Sequence, residues 1–195
     1  MSFSDQFFNE VVDIANRLDK NKIEEMVNAI RNVREMHEGR VFVLGVGGSA
    51  GNASHMVNDL RKLCGIEAYC PTDNVSELTA RTNDEGFDTV FEGYLRGSKF
   101  SYRDAIFILS VGGGDEARNV SVGLINAIKY ARSKDGYILS IVGKSDWYAA
   151  KNSDTVVVVP AVEPTRITPH SEAFQAVVWH CIVSHPNLQT NKTKW

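Results

Sequence analysis

His55 and Asp59 are the two side chains whose spacing in this sequence points most directly to chemistry. They are four residues apart in a stretch with a helical pattern, residues 50–62, and this separation places both on one face of a helix. An imidazole beside a carboxylate serves as an acid–base pair or as half of a metal site. A solvated helix face without a function has the same pattern, so the pair alone leaves these alternatives open.

The C-terminal segment adds a second carboxylate and a second histidine, Glu172 and His180. Pro169 and Glu172 are typical of a helix start, and the helix is predicted to run from about 169 to 184. His180 has apolar neighbours, where a histidine packed in the core is as reasonable as a ligand. Eight residues of continuous helix span about 12 Å. Glu172 and His180 therefore reach one small ion only if the first turn is distorted or two subunits share the site.

Two glycine-rich turns follow predicted strands, at residues 45–52 (GVGGSAGN) and at residues 110–115 (SVGGGD). Glycines expose backbone N–H groups, and a following helix N-terminus attracts negative charge, so such turns bind anions. Neither turn has the spacing of a dinucleotide or nucleoside triphosphate motif. One such turn is compatible with simple turn chemistry, whereas two at one sheet edge predict a phosphate or sugar-phosphate site. Its candidate residues are Gly47, Gly48, Ser49, Asn52, Ser110, Gly112, Gly113 and Gly114.

The candidate residues must be positioned by strands and helices, and the sequence predicts these as short apolar runs that alternate with amphipathic stretches. The runs lie at 41–44, 66–70, 105–109, 137–142 and 155–159, and helices are predicted at 50–62, 116–133, 147–150 and 169–184. This alternation predicts an α/β fold, a three-layer sandwich around a five-stranded parallel sheet. Helical spacing also predicts an N-terminal pair of helices. We expect a single domain over residues 1–195, with residues 1–37 used in oligomerisation and residues 38–195 forming the sandwich.

The composition limits the class of protein. The net charge is -3, with 21 Lys and Arg against 24 Asp and Glu, and no basic stripe is present, which argues against a nucleic-acid partner. No apolar run approaches the roughly 20 residues of a membrane span, and the N-terminus does not have the pattern of a signal peptide. Three cysteines form neither a CxxC motif nor an even disulfide framework. A soluble protein of the cytoplasm, without membrane contact, is predicted.

Three motifs together resemble those of the SIS (sugar isomerase) domain family, and within it the phosphoheptose isomerases. The first is the glycine turn at 45–49, followed by His55 and Asp59 on a helix. The second and most specific is the segment 72–87 (TDNVSELTARTNDEGF), which matches the family pattern T-D-x-S-x-x-T-A-x-x-N-D-x-G-F apart from one additional residue before Ser76. The third is the C-terminal helix, where Glu172 and His180 occupy the places of the family's Gln and His.

The resemblance implies a flavodoxin-like sandwich and a homotetramer with active sites between subunits. It implies conversion of sedoheptulose 7-phosphate into a heptose 7-phosphate for surface polysaccharide, either lipopolysaccharide or capsule. Asp59 and His180 would be the acid–base pair, and Ser76 and Asp84 would join the substrate contacts. A divalent metal, zinc in some family members, would be held by a set of four residues. These are His55, Asp59, Glu172 and His180.

Several positions depart from the family pattern. Val46 replaces an Asn, and Asp59 replaces a Glu. Residues 110–115 replace the hydroxyl-rich sequence STSGNS, which puts the carboxylate of Asp115 where a phosphate should bind. Glu172 replaces a Gln and adds negative charge beside the predicted cation. The retained histidines and carboxylates favour an aldose–ketose isomerase that works through an enediol. The altered second turn favours the alternative, a non-catalytic SIS module that binds a sugar phosphate or a protein partner as a regulator.

Overall fold

A five-stranded parallel sheet forms the centre of the protein, in a computed structural model that describes residues 1–194. The strand order is β2-β1-β3-β4-β5. The strands are β1 (Val41–Leu44), β2 (Ala68–Tyr69), β3 (Ala105–Ser110), β4 (Tyr137–Val142) and β5 (Thr155–Val158). All four neighbouring pairs are parallel, which confirms the predicted sheet. The edge strand β2 is shorter than the predicted run 66–70, because it pairs with only two residues of β1.

Eight α-helices connect or flank these strands within residues 1–194. They are α1 (Phe3–Arg17), α2 (Lys20–Glu35), α3 (Gly48–Cys64), α4 (Val75–Asp84), α5 (Val90–Gly97), α6 (Val122–Arg132), α7 (Tyr148–Asn152) and α8 (Ile167–Val183). The N-terminal pair is confirmed. Helices α4 and α5 lie between β2 and β3, where no helix was predicted. None of the helices in this part of the chain is both long and apolar enough to cross a membrane.

Two apolar cores, one on each face of the sheet, confirm the three-layer sandwich. Alternate side chains of a strand point to opposite faces. Val41 and Val43 pack with residues of α1, α2, α3 and α8, whereas Phe42 and Leu44 pack with residues of α5, α6 and α7. The strands are therefore buried on both faces, which explains why they appear in the sequence as continuous apolar runs.

Helix α6 begins at Val122 and not at the predicted residue 116. The residues before it form a closed loop, because Asp115 and Val120 exchange two backbone hydrogen bonds of 3.0 Å each. Asn119 and Ser121 have positive φ angles of 55° and 50°, which a helix does not allow. The loop returns Ser121 to the end of β3, and this return shapes the site described below.

A cluster of charged groups joins α1 to the start of α8. The carboxylate of Glu10 accepts hydrogen bonds from both Arg166 (Nε at 2.9 Å) and His170 (Nε2 at 2.8 Å). The hydrogen bonds from Arg166, followed by that from His170, lower the pKa of Glu10 to about 2. The carboxylate stays ionised at neutral pH, so this contact positions the helix that carries Glu172 and His180.

Candidate active site

His55, Asp59 and His180 come together on the outer surface of the packed helices α3 and α8. One ligand atom from each of the three lies within 4.8 Å of the others. His55 Nε2 is 4.0 Å from Asp59 Oδ2, and the rings of His55 and His180 are 5.3 Å apart. Both histidines are exposed and Asp59 is half-buried, so the group is open to a ligand from solvent.

Local contacts orient His180. Its Nδ1 lies 2.8 Å from the backbone oxygen of Ala176, and the ring stacks on buried Trp179 at 3.5 Å. In the neutral imidazole, a hydrogen bond from Nδ1–H to a carbonyl places the free lone pair on Nε2, and this lone pair can bind a metal or accept a proton. His180 is exposed although its neighbours Val178 and Trp179 are buried, so the alternative of a core histidine is wrong.

The three side chains fit a divalent cation. Two imidazole nitrogens and one carboxylate oxygen are a donor set that catalytic zinc sites use, with a fourth position left for water or substrate. Asp59 is held in place, since its Oδ1 accepts a 2.9 Å hydrogen bond from Asn58. Glu172 is not in this group within one chain, because α8 is a continuous helix and keeps it away from His180.

Glu172 instead lines a separate groove of about 310 Å³ at the carboxyl ends of β1, β3 and β4. Ligands of open α/β sheets bind at such strand ends. The groove is lined by Val46, Ser49, Ser110, Val111, Gly112, Val120, Ser121, Lys144, Trp147 and Glu172. Both predicted glycine turns therefore contribute residues to this one cavity.

The second glycine turn has a compact backbone that directs its polar groups. Ser110 Oγ accepts a 2.9 Å hydrogen bond from the N–H of Gly113, and its own hydroxyl hydrogen is left to donate. The indole of Trp147 lies against Gly112, where a Cβ would collide with the ring. Asp115 accepts hydrogen bonds from Arg118 and lines a neighbouring cleft instead of the groove. The carboxylate of Asp115 therefore does not occupy the predicted phosphate site.

Other predicted site residues lie apart from these two places. Asn52 donates to the backbone oxygen of Glu172 (3.0 Å) and to Gln175 (3.2 Å), so its amide connects α3 to α8. Ser76 and Asp84 are exposed on α4 and line neither the groove nor the histidine group. Within a single chain, the predicted residues are thus divided between the groove, the histidine group, the α3–α8 contact of Asn52 and the exposed helix α4.

Six groove residues were missing from the sequence-based set. Three are the valines Val46, Val111 and Val120, and the other three are Ser121, Lys144 and Trp147. Lys144 lies two residues beyond the end of β4, so the rule that ligands bind beyond strand ends would have found it. Ser121 had no comparable signal, because a helix was predicted through its position. Trp147 was placed at a helix start, and nothing in the sequence indicates that its ring lies on Gly112.

Comparisons with known proteins identify the family and agree with this fold. The SIS domain profile matches residues 6–143. A phosphoheptose isomerase from Mycobacterium tuberculosis is 33% identical over 153 residues, which are 75% of this chain and 71% of that protein. The lincomycin biosynthesis protein LmbN from Streptomyces lincolnensis is 30% identical over 159 residues, which are 75% of this chain and only 56% of the longer relative.

The fold of a solved phosphoheptose isomerase is also similar. The structure of GmhA from Neisseria gonorrhoeae has a TM-score of 0.77 and 23% sequence identity, and the match covers 92% of this chain and 95% of that one. This similarity confirms the α/β sandwich with N-terminal helices. Together with the profile match and the related sequences, it confirms the resemblance found in the motifs. The chain belongs to the SIS domain family.

Proposed function

We propose that this protein is an aldose–ketose isomerase of a phosphorylated sugar, with sedoheptulose 7-phosphate as the preferred candidate. The observation that carries the proposal is the exposed group of His55, Asp59 and His180 in a chain whose relatives are named phosphoheptose isomerases. A groove with serine hydroxyls and backbone glycines, at the carboxyl ends of the strands, supports a phosphorylated substrate. The heptose phosphate formed would serve surface polysaccharide synthesis in the cytoplasm.

The proposed mechanism is proton transfer through an enediol. One member of the Asp59–His180 pair removes the proton from the carbon beside the carbonyl, and the other moves protons between the two oxygens. His180 is suited to this role, because its Nε2 is free of the Ala176 hydrogen bond and faces solvent. Asp59 accepts a hydrogen bond from Asn58 and lies beside His55, so its carboxylate is within reach of the same ligand as the histidines.

We propose zinc as the metal, held by His55, Asp59 and His180. When bound, a divalent cation supplies positive charge that polarises a carbonyl. Within one chain, Glu172 lines the groove and not the histidine group. It therefore remains a predicted fourth ligand only if two chains share the metal site. In this proposal the groove binds the phosphate end of the sugar.

A substrate panel on the purified protein tests the function. We expect interconversion of sedoheptulose 7-phosphate and its aldose isomer, with slower turnover of shorter sugar phosphates, and co-purified divalent metal. The alternative is a SIS module that binds a sugar phosphate or a protein partner as a regulator. Binding of the sugar phosphate without any turnover, in metal-loaded protein, would contradict the isomerase and favour that alternative.

We further propose that the chain is a single SIS domain that assembles into a homotetramer with active sites between subunits. Helix α4 carries Ser76 and Asp84 and has no buried residue in the single chain. Helix α1 exposes Phe3, Phe8 and Val12, of which 65%, 66% and 59% respectively is accessible. A second copy would cover these apolar side chains and bring α4 to another chain's histidine group.

The assembly is tested by light scattering. We expect the mass of four chains at micromolar concentration, and Phe8→Ser combined with Val12→Ser should shift the protein toward smaller species, because polar side chains weaken an apolar interface. A matched control is Tyr102→Ser, which removes an exposed aromatic side chain from the loop between α5 and β3, outside α1, α4 and the histidine group. A wild-type monomer would contradict both the tetramer and the shared site.

A further inference from the structure

Lys144 is the one cationic residue that lines the groove at the strand ends, and nothing in the motifs of the chain assigns it a role. It directly follows Gly143 at the end of β4, and it is half-buried. The ion pairs found among residues 1–194 leave its ammonium without a carboxylate partner. A half-buried cation that faces a cavity without a partner is suited to bind an anion.

The backbone around Lys144 is held tightly. The N–H of Gly143 donates to the carbonyl of Val111 at 2.9 Å, and on the other side Gly143 contacts Ser171 of α8 so closely that no Cβ fits. After Lys144, the N–H groups of Tyr148 and Ala149 donate to the carbonyls of Gly114 and Gly113, both at 2.9 Å. The β4–α7 connection and the second glycine turn therefore form one rigid wall of the groove.

Hydroxyl groups lie on the same wall. Ser110 has a hydroxyl hydrogen left to donate, because its oxygen accepts from Gly113. Ser121 returns to the groove through the closed loop between Asp115 and Val120. Two hydroxyls give a phosphate hydrogen bonds but no compensating charge. Lys144 supplies that charge.

Glu172, which also lines the groove, carries a negative charge. A Cβ on Gly48 would lie 2.6 Å from Oε2 and 2.8 Å from Oε1 of Glu172, so this carboxylate rests on the first turn of α3. A carboxylate is stabilised at a helix N-terminus. A phosphate at the first glycine turn would meet this charge at close range, and no ion pair found among residues 1–194 joins Lys144 to Glu172.

We propose that Lys144, with Ser110 and Ser121, binds the phosphate of the substrate, and that Glu172 excludes the phosphate from the first glycine turn. This inference rests on the proposed function and names the phosphate subsite within it. It also explains how the chain binds a phosphate after losing the hydroxyl-rich second turn. The ammonium provides the charge-assisted contact that the missing hydroxyls do not.

The test compares Lys144→Met with two control variants. Lys144→Arg keeps the charge, and Lys151→Met removes a cation from the neighbouring cleft that contains Asp115, Arg118 and Asp146. The probes are inorganic phosphate, measured by calorimetry on the metal-loaded protein, and sedoheptulose 7-phosphate in the isomerase assay. We expect Lys144→Met to weaken phosphate binding and raise KM by about 10- to 100-fold, the usual effect of losing a hydrogen bond to a charged group. The kcat should change much less.

Lys144→Arg should retain most of the phosphate affinity, and Lys151→Met should bind like the wild type. Normal phosphate affinity in Lys144→Met, a larger loss in Lys151→Met, or a wild type that binds no phosphate would each overturn the proposal. The phosphate titration does not depend on turnover. Phosphate binding that depends on Lys144, without isomerase activity, would therefore contradict the proposed function but support the phosphate subsite. Turnover with an unchanged KM in Lys144→Met would contradict the subsite but support the proposed function.

Discussion

Replacement of His180 by glutamine should lower kcat by about 10²–10⁴-fold, the usual share of general acid–base catalysis. Glutamine has similar length but neither accepts nor releases a proton near neutral pH. The exposed ring is oriented by the Ala176 carbonyl, so its Nε2 is the atom whose loss matters. The same change should reduce the bound divalent metal, because it removes one of the three ligand atoms.

The fold should tolerate this substitution. His180 is exposed, and a surface substitution changes the free energy of unfolding by only about 0.5 kcal/mol. A matched control is His185→Gln, which removes a histidine that follows the end of α8 and pairs with Glu24 at 3.2 Å, away from the site. Wild-type turnover in folded His180→Gln, or an equal loss in His185→Gln, would remove His180 from the catalytic group.

The sheet and the outer helices could be predicted because their signals are local. Strands buried on both faces appear as continuous apolar runs, and β1 and β4 have the predicted bounds. The start of α6 could not be predicted in the same way. Its position depends on two backbone hydrogen bonds between Asp115 and Val120 and on positive φ angles at Asn119 and Ser121. No residue type in this loop predicts that geometry.

The geometry of a helix made it possible to predict which site residues lie apart, whereas the burial of each side chain could not be predicted. The rise per residue already indicated that Glu172 and His180 do not share an ion along one continuous helix, and α8 is continuous. The exposure of His180 was not apparent from the sequence, because apolar neighbours on a helix can lie on its buried face. The place of Lys144 beyond the end of β4 was a usable signal, whereas the backbone hydrogen bonds that join the β4–α7 connection to the second glycine turn were not apparent from the sequence.

Asp59→Asn should cause a loss of turnover comparable to that of His180→Gln. Asparagine keeps the volume of the side chain but removes the negative charge, so it is neither a base nor an anionic ligand. The two histidines that remain provide a weaker donor set for a divalent cation, since the carboxylate supplied the only negative charge in the group. We expect less bound zinc per chain by elemental analysis and a kcat lower by about 10²–10⁴-fold.

Asp59→Glu is the matched variant, because it retains the carboxylate on a side chain one methylene longer. A longer carboxylate on the same helix face can still approach His55, whose Nε2 is 4.0 Å from Asp59 Oδ2. We therefore expect this variant to bind zinc and to lose less activity than Asp59→Asn. Zinc content distinguishes the two roles of the residue: retained metal with lost turnover in Asp59→Asn would assign Asp59 to proton transfer alone. Near-normal turnover in folded Asp59→Asn would contradict both roles and favour the non-catalytic binding module.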